Sequence, residues 1–157
     1  MKWKTTALID EKDLMIRPHI QDWLKNFIAA QGAVAGTVHW HVQTEEKTGL
    51  ELIAAVNIPP KVQEIVEWVP PGKGMAGQAL VQSAPVQTCN LKDDSSGAVR
   101  PGAKAVDAAA AVALPVKAAS GEISAIVGIA YSDQRQFSDA DLVQLERAAG
   151  AVLTAQA

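Results

Sequence analysis

The sequence predicts an α+β domain in which one antiparallel sheet carries the terminal helices on one face and the connecting segments, with a pocket, on the other. Three observations predict it. Helical periodicity marks both ends of the chain, strand-like runs lie between them, and a long polar stretch, 91–107, interrupts the strands. At 157 residues the chain is sized for one domain over 1–157, with no room for a second.

Between Asp10 and Ala30 the residues Ile20, Trp23, Leu24, Phe27 and Ile28 recur at three and four, while Asp22, Lys25 and Asn26 fall on the other face. That is an amphipathic helix. Pro18 either kinks it or starts its second half, because proline has no N–H for the preceding turn, and Gly32 closes it. Val38, Trp40 and Val42 then alternate with Thr37, His39 and His41, and Leu50 to Val56 follows a turn containing Gly49, so the pair reads as a hairpin. Pro60 suits a first helical position, and Val62, Ile65, Val66 and Val69 keep helical spacing until Pro70-Pro71. A second short helix is expected over Met75 to Gln82, and a strand entered through Pro85 over Val86 to Asn90.

The polar segment from about Leu91 to Asp107 is longer than most loops of compact domains, which are usually short unless functional or disordered. After it, Ala109 to Val116 and Ile123 to Tyr131 are continuous runs of small apolar residues joined at Ser120-Gly121. Such runs belong in the middle of a sheet covered on both faces. The last helix has the clearest start: Ser138 as N-cap, Asp141 three residues on, and Phe137 placed to staple onto Leu142. Its buried stripe is Leu142, Leu145, Ala149, Val152 and Leu153.

Composition narrows the function classes. Apolar residues are 48% and charged residues 20%, a soluble globular balance, and the net charge of −3 comes without a block of Lys or Arg. The electrostatic footprint of a nucleic-acid or anionic-membrane binder is missing, so neither is expected as a partner. Cys89 is the single cysteine, which excludes an intramolecular disulfide and a thiolate zinc site within one chain. The apolar part of the N-terminus is too short for a signal peptide and no stretch approaches about 20 apolar residues, so a cytoplasmic location is expected.

Gly72-Lys-Gly74-Met-Ala-Gly77 matches the dinucleotide fingerprint G-x-G-x-x-G, with Asp93 or Asp94 near the distance of a ribose-binding carboxylate. The fingerprint needs a buried strand before the glycines and a long helix after them. Here Pro70-Pro71 precedes the turn, the segment before it has helical spacing, and about two helical turns follow. The match is rejected, as is a phosphate loop, because Lys73 is not followed by Ser or Thr.

Taken together, Gly72-Lys-Gly-Met-Ala-Gly-Gln-Ala79 followed by Pro85-Val86, then Ala113-Leu-Pro-Val116, Gly128-Ile-Ala-Tyr131 and Phe137-Ser-Asp-Ala-Asp-Leu142 resemble the GAF domain family. The resemblance covers nearly the whole chain. It implies a five- or six-stranded antiparallel sheet with the terminal helices behind it and a ligand pocket in front. It also implies a sensory, small-molecule-binding role in signal transduction, with cyclic nucleotides, linear tetrapyrroles, small metabolites and iron centres among the family's ligands. The cofactor is therefore left unknown. Tetrapyrrole-binding members are rich in aromatics, unlike this chain at 4%. Free methionine-R-sulfoxide reductases are stand-alone members of similar length that carry several cysteines, and Cys89 here has no resolving partner.

Candidate ligand-binding residues are Asp93, Asp94, Ser95, Arg100 and Lys104, polar groups of the long segment that suit a polar ligand, with Asn90 at its root. The alternatives are a solvated loop and, for Asn90, a turn cap. His39 and His41 share one face of a strand and would respond to pH or hold an anion if that face lines a pocket; two imidazoles do not complete a metal site. Trp40 falls on the opposite face, in the core. Trp68 lies off the apolar stripe of its helix, as a pocket roof or an exposed or dimer-facing ring. Cys89 reads as a small buried hydrophobe. A homodimer through the terminal helices is expected, against packing within one chain, together with a small-molecule ligand and a separate output protein. The competing class is a small enzyme on the same scaffold, with Asp93 or Asp94, a histidine and Cys89 converging on a polar metabolite.

Overall fold

Proline, glycine and one capping serine set most of the element ends. In the computed structural model, which describes residues 17–88 and 108–155, Pro18 occupies the first turn of helix α1 (Pro18–Gln31), and Gly32 closes it. Of the two roles open to Pro18, starting a helix is the one seen; residues 10–16 of the expected helix lie outside the described part. Strands β1 (Ala35–Gln43) and β2 (Thr48–Val56) form the predicted hairpin. Next come α2 (Pro60–Ile65), β3 (Trp68–Val69), α3 (Gly74–Gln82) and β4 (Val86–Thr88). After the gap in the description, β5 (Ala110–Lys117), β6 (Ile123–Tyr131), α4 (Asp139–Ala149) and the single turn α5 (Val152–Ala155) complete the chain.

The strands make one antiparallel sheet in the order β3-β2-β1-β6-β5-β4. Six strands resolve the choice of five or six. The added one is β3, where helical spacing had suggested that α2 ran on to Val69. Instead Leu50 pairs with Val69 and Glu51 with Trp68, and the Leu52 N–H donates to the Glu67 carbonyl at 3.0 Å. Burying Val69 is compatible with either conformation, and the unpaired edge of β2 decides for the strand. Farther along the same edge, the Arg17 N–H donates to the Ile53 carbonyl at 2.9 Å, and the Gln21 amide exchanges two hydrogen bonds with the Ala55 backbone. Those contacts fasten α1 to the sheet and cover its edge. At the other side Gln87 of β4 exchanges the same pair of bonds with the Phe137 backbone.

The α4 start forms as expected. Ser138 Oγ accepts from the Asp141 N–H at 3.1 Å while the Asp141 carboxylate accepts from the Ser138 N–H at 3.0 Å, satisfying two donors at the helix end. Leu145, Ala149 and Val152 are buried and Leu142 and Leu153 pack beside them. With Ile20, Leu24, Phe27 and Ile28 of α1 they cover the back of the sheet, formed by residues such as Val112, Leu114, Val127, Ile129 and Tyr131. Two smaller clusters hold the connecting segments on the front, one around Ala35, Val62 and Ala108, the other around Leu50, Val69, Ala113 and Ile126. Met75 packs against both. Among the described residues no helix is long and apolar enough to cross a membrane.

Candidate functional site

The front of the sheet carries a cavity because of which residues its strands place there. Strand alternation sends every second side chain forward. On the three central strands the forward residues form two adjacent cross-strand rows, Ala35-Ala130-Ala111 and Thr37-Gly128-Ala113. Six small side chains in a block leave the sheet surface low. The neighbouring row, His39-Ile126-Pro115, is bulky and limits the depression on one side.

Helices α2 and α3 bridge over this floor. Ile58, Val62 and Val66 form one wall, Val69 the end of another, and Lys73 to Ala76 bring the first turn of α3 to the rim. The cavity, open on one side, holds about 140 Å³. Among the described residues its side-chain polar groups are the Thr37 hydroxyl and the exposed Lys73 ammonium.

The turn Pro70-Pro71-Gly72-Lys73 sets the position of α3. The Lys73 N–H donates to the Pro70 carbonyl at 3.2 Å, and Gly72, after Pro71, has φ of 83°, the pattern of a type II turn. The Gly72 N–H then reaches forward to the Gly77 carbonyl at 2.9 Å. A Cβ on Gly77 would lie 2.7 Å from the Pro70 oxygen, so only glycine lets the helix sit on the turn. These are the glycines of the apparent dinucleotide motif. Their setting is an edge strand of an antiparallel sheet, followed by a nine-residue helix, and not a parallel strand-helix crossover. The segment before them is thus strand β3, where a helix had been expected, and the rejection of a nucleotide fold stands on the sheet's antiparallel order.

Residues 19–155 match the family profile described as GAF domain. The chain belongs to the GAF domain family. Solved structures agree on the fold. A type II free methionine-R-sulfoxide reductase from Thermoplasma acidophilum has a TM-score of 0.67 at 17% identity, covering 93% of this chain and 94% of the other. The GAF domain of an Acinetobacter phosphoenolpyruvate-protein phosphotransferase has a TM-score of 0.63 at 15% identity, covering 96% and 94%. NreA of Staphylococcus aureus, mutated in its nitrate binding site, has a TM-score of 0.60 at 15% identity, covering 79% and 95%. No curated protein matches the sequence.

In this GAF domain His39 and His41 face forward, as their alternation predicts, and both rings are engaged with main chain. His39 is 2% exposed, and its Nε2 donates to the Val66 carbonyl at 2.8 Å; Nδ1 of His41 donates to the Ile123 carbonyl at 2.8 Å. His39 reaches the cavity through Val66, whose carbonyl it holds at the wall, while His41 ties the end of β1 to the start of β6. Trp68 lies on β3, outside the cavity lining, with its ring across Gly49 and the Lys47 ammonium 4.4 Å from the ring centroid. Trp40 packs against the back core, with Arg17 over its ring. Among the described residues no group of three His, Cys, Asp or Glu side chains is placed to hold a metal. Asn90, Asp93, Asp94, Ser95, Arg100 and Lys104, and Cys89 with them, lie outside the described residues.

The residues that sequence reasoning missed are the floor. The spacing reads Ala111, Ala113, Gly128 and Ala130 as parts of continuous small apolar strands, three of them within the stretches that resemble the family, and does not mark them as a pocket floor. The signal was alternation in size: Val112-Ala113-Leu114 and Val127-Gly128-Ile129-Ala130-Tyr131 place a large residue behind for each small one in front.

A second depression, about 650 Å³ and polar, lies on the helix side between α1, the end of β6 and α4. Its Arg135 is engaged, paired with Asp133 at 2.8 Å and lying 4.0 Å from the Tyr131 ring centroid. Burial pushes the Tyr131 phenol above its ordinary 10.0, opposed by the Arg135 charge and reinforced by Asp133.

Proposed function

We propose that this GAF domain is a single-domain regulatory module of signal transduction that binds a small metabolite in the front cavity. GAF domains are in general sensory, ligand-binding domains. The observation that carries the reading is the front cavity, formed by a floor of small residues and flanked by α2 and α3. Polar recognition is assigned to Asn90, Asp93, Asp94, Ser95, Arg100 and Lys104. The chain supports this assignment where it re-enters the described region, at Ala108, which packs in the same cluster as the cavity-wall residue Val62. His39 supports the wall from beneath, and Trp68 supports the neighbouring edge. The remaining proposals are a cytoplasmic homodimer paired through the terminal helices and an output protein on a separate chain.

Native mass spectrometry of the purified protein, followed by thermal-shift screening of metabolites, tests this. A selective ligand raises the melting temperature, because it binds the folded state and not the unfolded one. An Asp94→Ala/Arg100→Ala double variant is expected to reduce that shift at least ten-fold in ligand concentration. No stabilising compound in a broad metabolite panel would count against a binding function.

The enzyme alternative draws on the free methionine-R-sulfoxide reductase likeness. Attack of a Cys89 thiolate on the sulfoxide sulfur, with a proton taken up from solvent, would transfer the oxygen to Cys89 as a sulfenic acid and release methionine; an external dithiol would then reduce the sulfenic acid to thiol and water while becoming a disulfide. Turnover of free methionine-R-sulfoxide with dithiothreitol, lost in Cys89→Ser, would establish it.

A further inference from the structure

We infer that the part of the ligand seated on the sheet is apolar, an aliphatic chain or single ring of about six non-hydrogen atoms, since an aliphatic space of about 150 Å³ is enough for benzene. The inference rests on the binding function proposed above and specifies the chemistry of that same site. The cavity holds about 140 Å³, well short of the roughly 300 Å³ at which drug-sized pockets begin.

The surfaces select against polar groups as well as large ones. The floor offers methyl groups and main chain from Ala111, Ala113, Gly128 and Ala130, and the wall offers Val62 and Val66. Strand pairing uses the backbone N–H and C=O groups of the central floor strands within the sheet. Pressed against the floor and the α2 wall, a hydroxyl, amide or charge would lose its water and find, among the described residues, only the Thr37 hydroxyl in replacement, whereas a hydrocarbon loses nothing. The first-turn N–H groups of α3, which has no side-chain cap, lie at the rim, where a polar part of the same ligand can reach them. The Lys73 ammonium sits exposed at the rim, away from the floor. Met75, flexible and in contact with both front clusters, can follow the outline of the bound group.

The test is a titration of the full chain with straight-chain alcohols from ethanol to octanol, followed by methyl NMR of Val, Ile and Met. Affinity is expected to rise about four-fold per methylene up to roughly six non-hydrogen atoms and then level off. The largest shifts should fall on Val62, Val66 and Met75. Ala130→Val and Ala111→Val, which fill the floor from adjacent strands, should each weaken hexanol at least ten-fold while unfolding cooperatively like the parent. Two variants are used so that one poorly folding protein does not decide the matter. Affinity independent of chain length, shifts centred on Ile20 and Leu145, or parental hexanol affinity in the folded variants would overturn the inference. A parallel thermal-shift panel of nucleotides, amino acids and nitrate separates this failure from failure of the binding function. A polar compound bound equally by parent and floor variants defeats only the apolar subsite. Silence from every alcohol and every metabolite defeats both.

Discussion

On β5 and β6 the residues facing the terminal helices are Val112, Leu114, Val116, Val127, Ile129 and Tyr131, whereas those between them, facing the connecting segments, include Ala111, Ala113, Gly128 and Ala130. The same strands thus supply a filled core behind and a hollow in front. Behind, α1, α4 and α5 deliver Ile20, Leu24, Phe27, Leu145 and Val152 onto the sheet, and each of these is buried. In front, α2 and α3 rest on the sheet through Val62, Met75 and Ala79, and the cavity is what the small floor residues leave unfilled between those contacts. Stability is concentrated on one face and binding capacity on the other, because a close-packed surface has no volume to give a ligand.

The strongest way to test this division is to damage the filled side. Leu24→Ala removes a fully buried side chain from the back core and is expected to cost about 2–5 kcal/mol in urea unfolding. A loss below about 1 kcal/mol would show that the back is not packed as described. Gly77→Ala addresses the front at its tightest point, where the new Cβ meets the Pro70 oxygen, and should cost about 1–3 kcal/mol while weakening ligand binding by displacing α3. A variant as stable as the parent, with unchanged binding, would mean that α3 is free to move off its turn.

Smaller effects sharpen the contrast. Ser138→Ala deletes one half of the reciprocal cap on α4 and should cost about 1 kcal/mol with no effect on binding, since it acts on the helix side. Ala130→Val should change stability by less than about 1 kcal/mol, because the methyls enter a space already empty. Equal losses from Ala130→Val and Leu24→Ala would erase the distinction between the faces.

The weakest effect concerns pH. Burial raises the Tyr131 phenol, so the folded state keeps its proton at a pH where the unfolded state has released it. The stability from this residue is intact below about pH 10 and declines as pH rises through the raised folded value. Tyr131→Phe should therefore flatten the alkaline fall in unfolding free energy, measured between about pH 9 and 11. An identical alkaline slope in both proteins would show that the ring is not shielded.

Much of the fold was legible because local signals agreed with the final packing. Ser138 with Asp141 predicted a helix start, and the structure pairs them; the hairpin around Gly49, the two long apolar strands and the α1 stripe likewise follow from spacing alone. Trp68-Val69 shows where that stops. Helical spacing and a two-residue strand bury Val69 equally well, and the choice depends on an unpaired strand edge some 17 residues earlier in the chain. The candidate site was legible in part. His39 and His41 were placed on the correct face, yet their hydrogen bonds to Val66 and Ile123 span 27 and 82 residues and leave no trace in local sequence.

By itself the sequence determined the element types, the antiparallel layered class, the absence of a chain-internal disulfide and the family to which the domain belongs. It even contained the large-small alternation on β5 and β6, since side-chain size is a local property. Tertiary structure decided that Ala35, Ala111 and Ala130 line up in one row, with Thr37, Gly128 and Ala113 in the next. A hollow is made by register between strands nearly a hundred residues apart together with the points at which two helices come to rest on the sheet. No single segment encodes that distance, because it is a sum over all the elements that meet there.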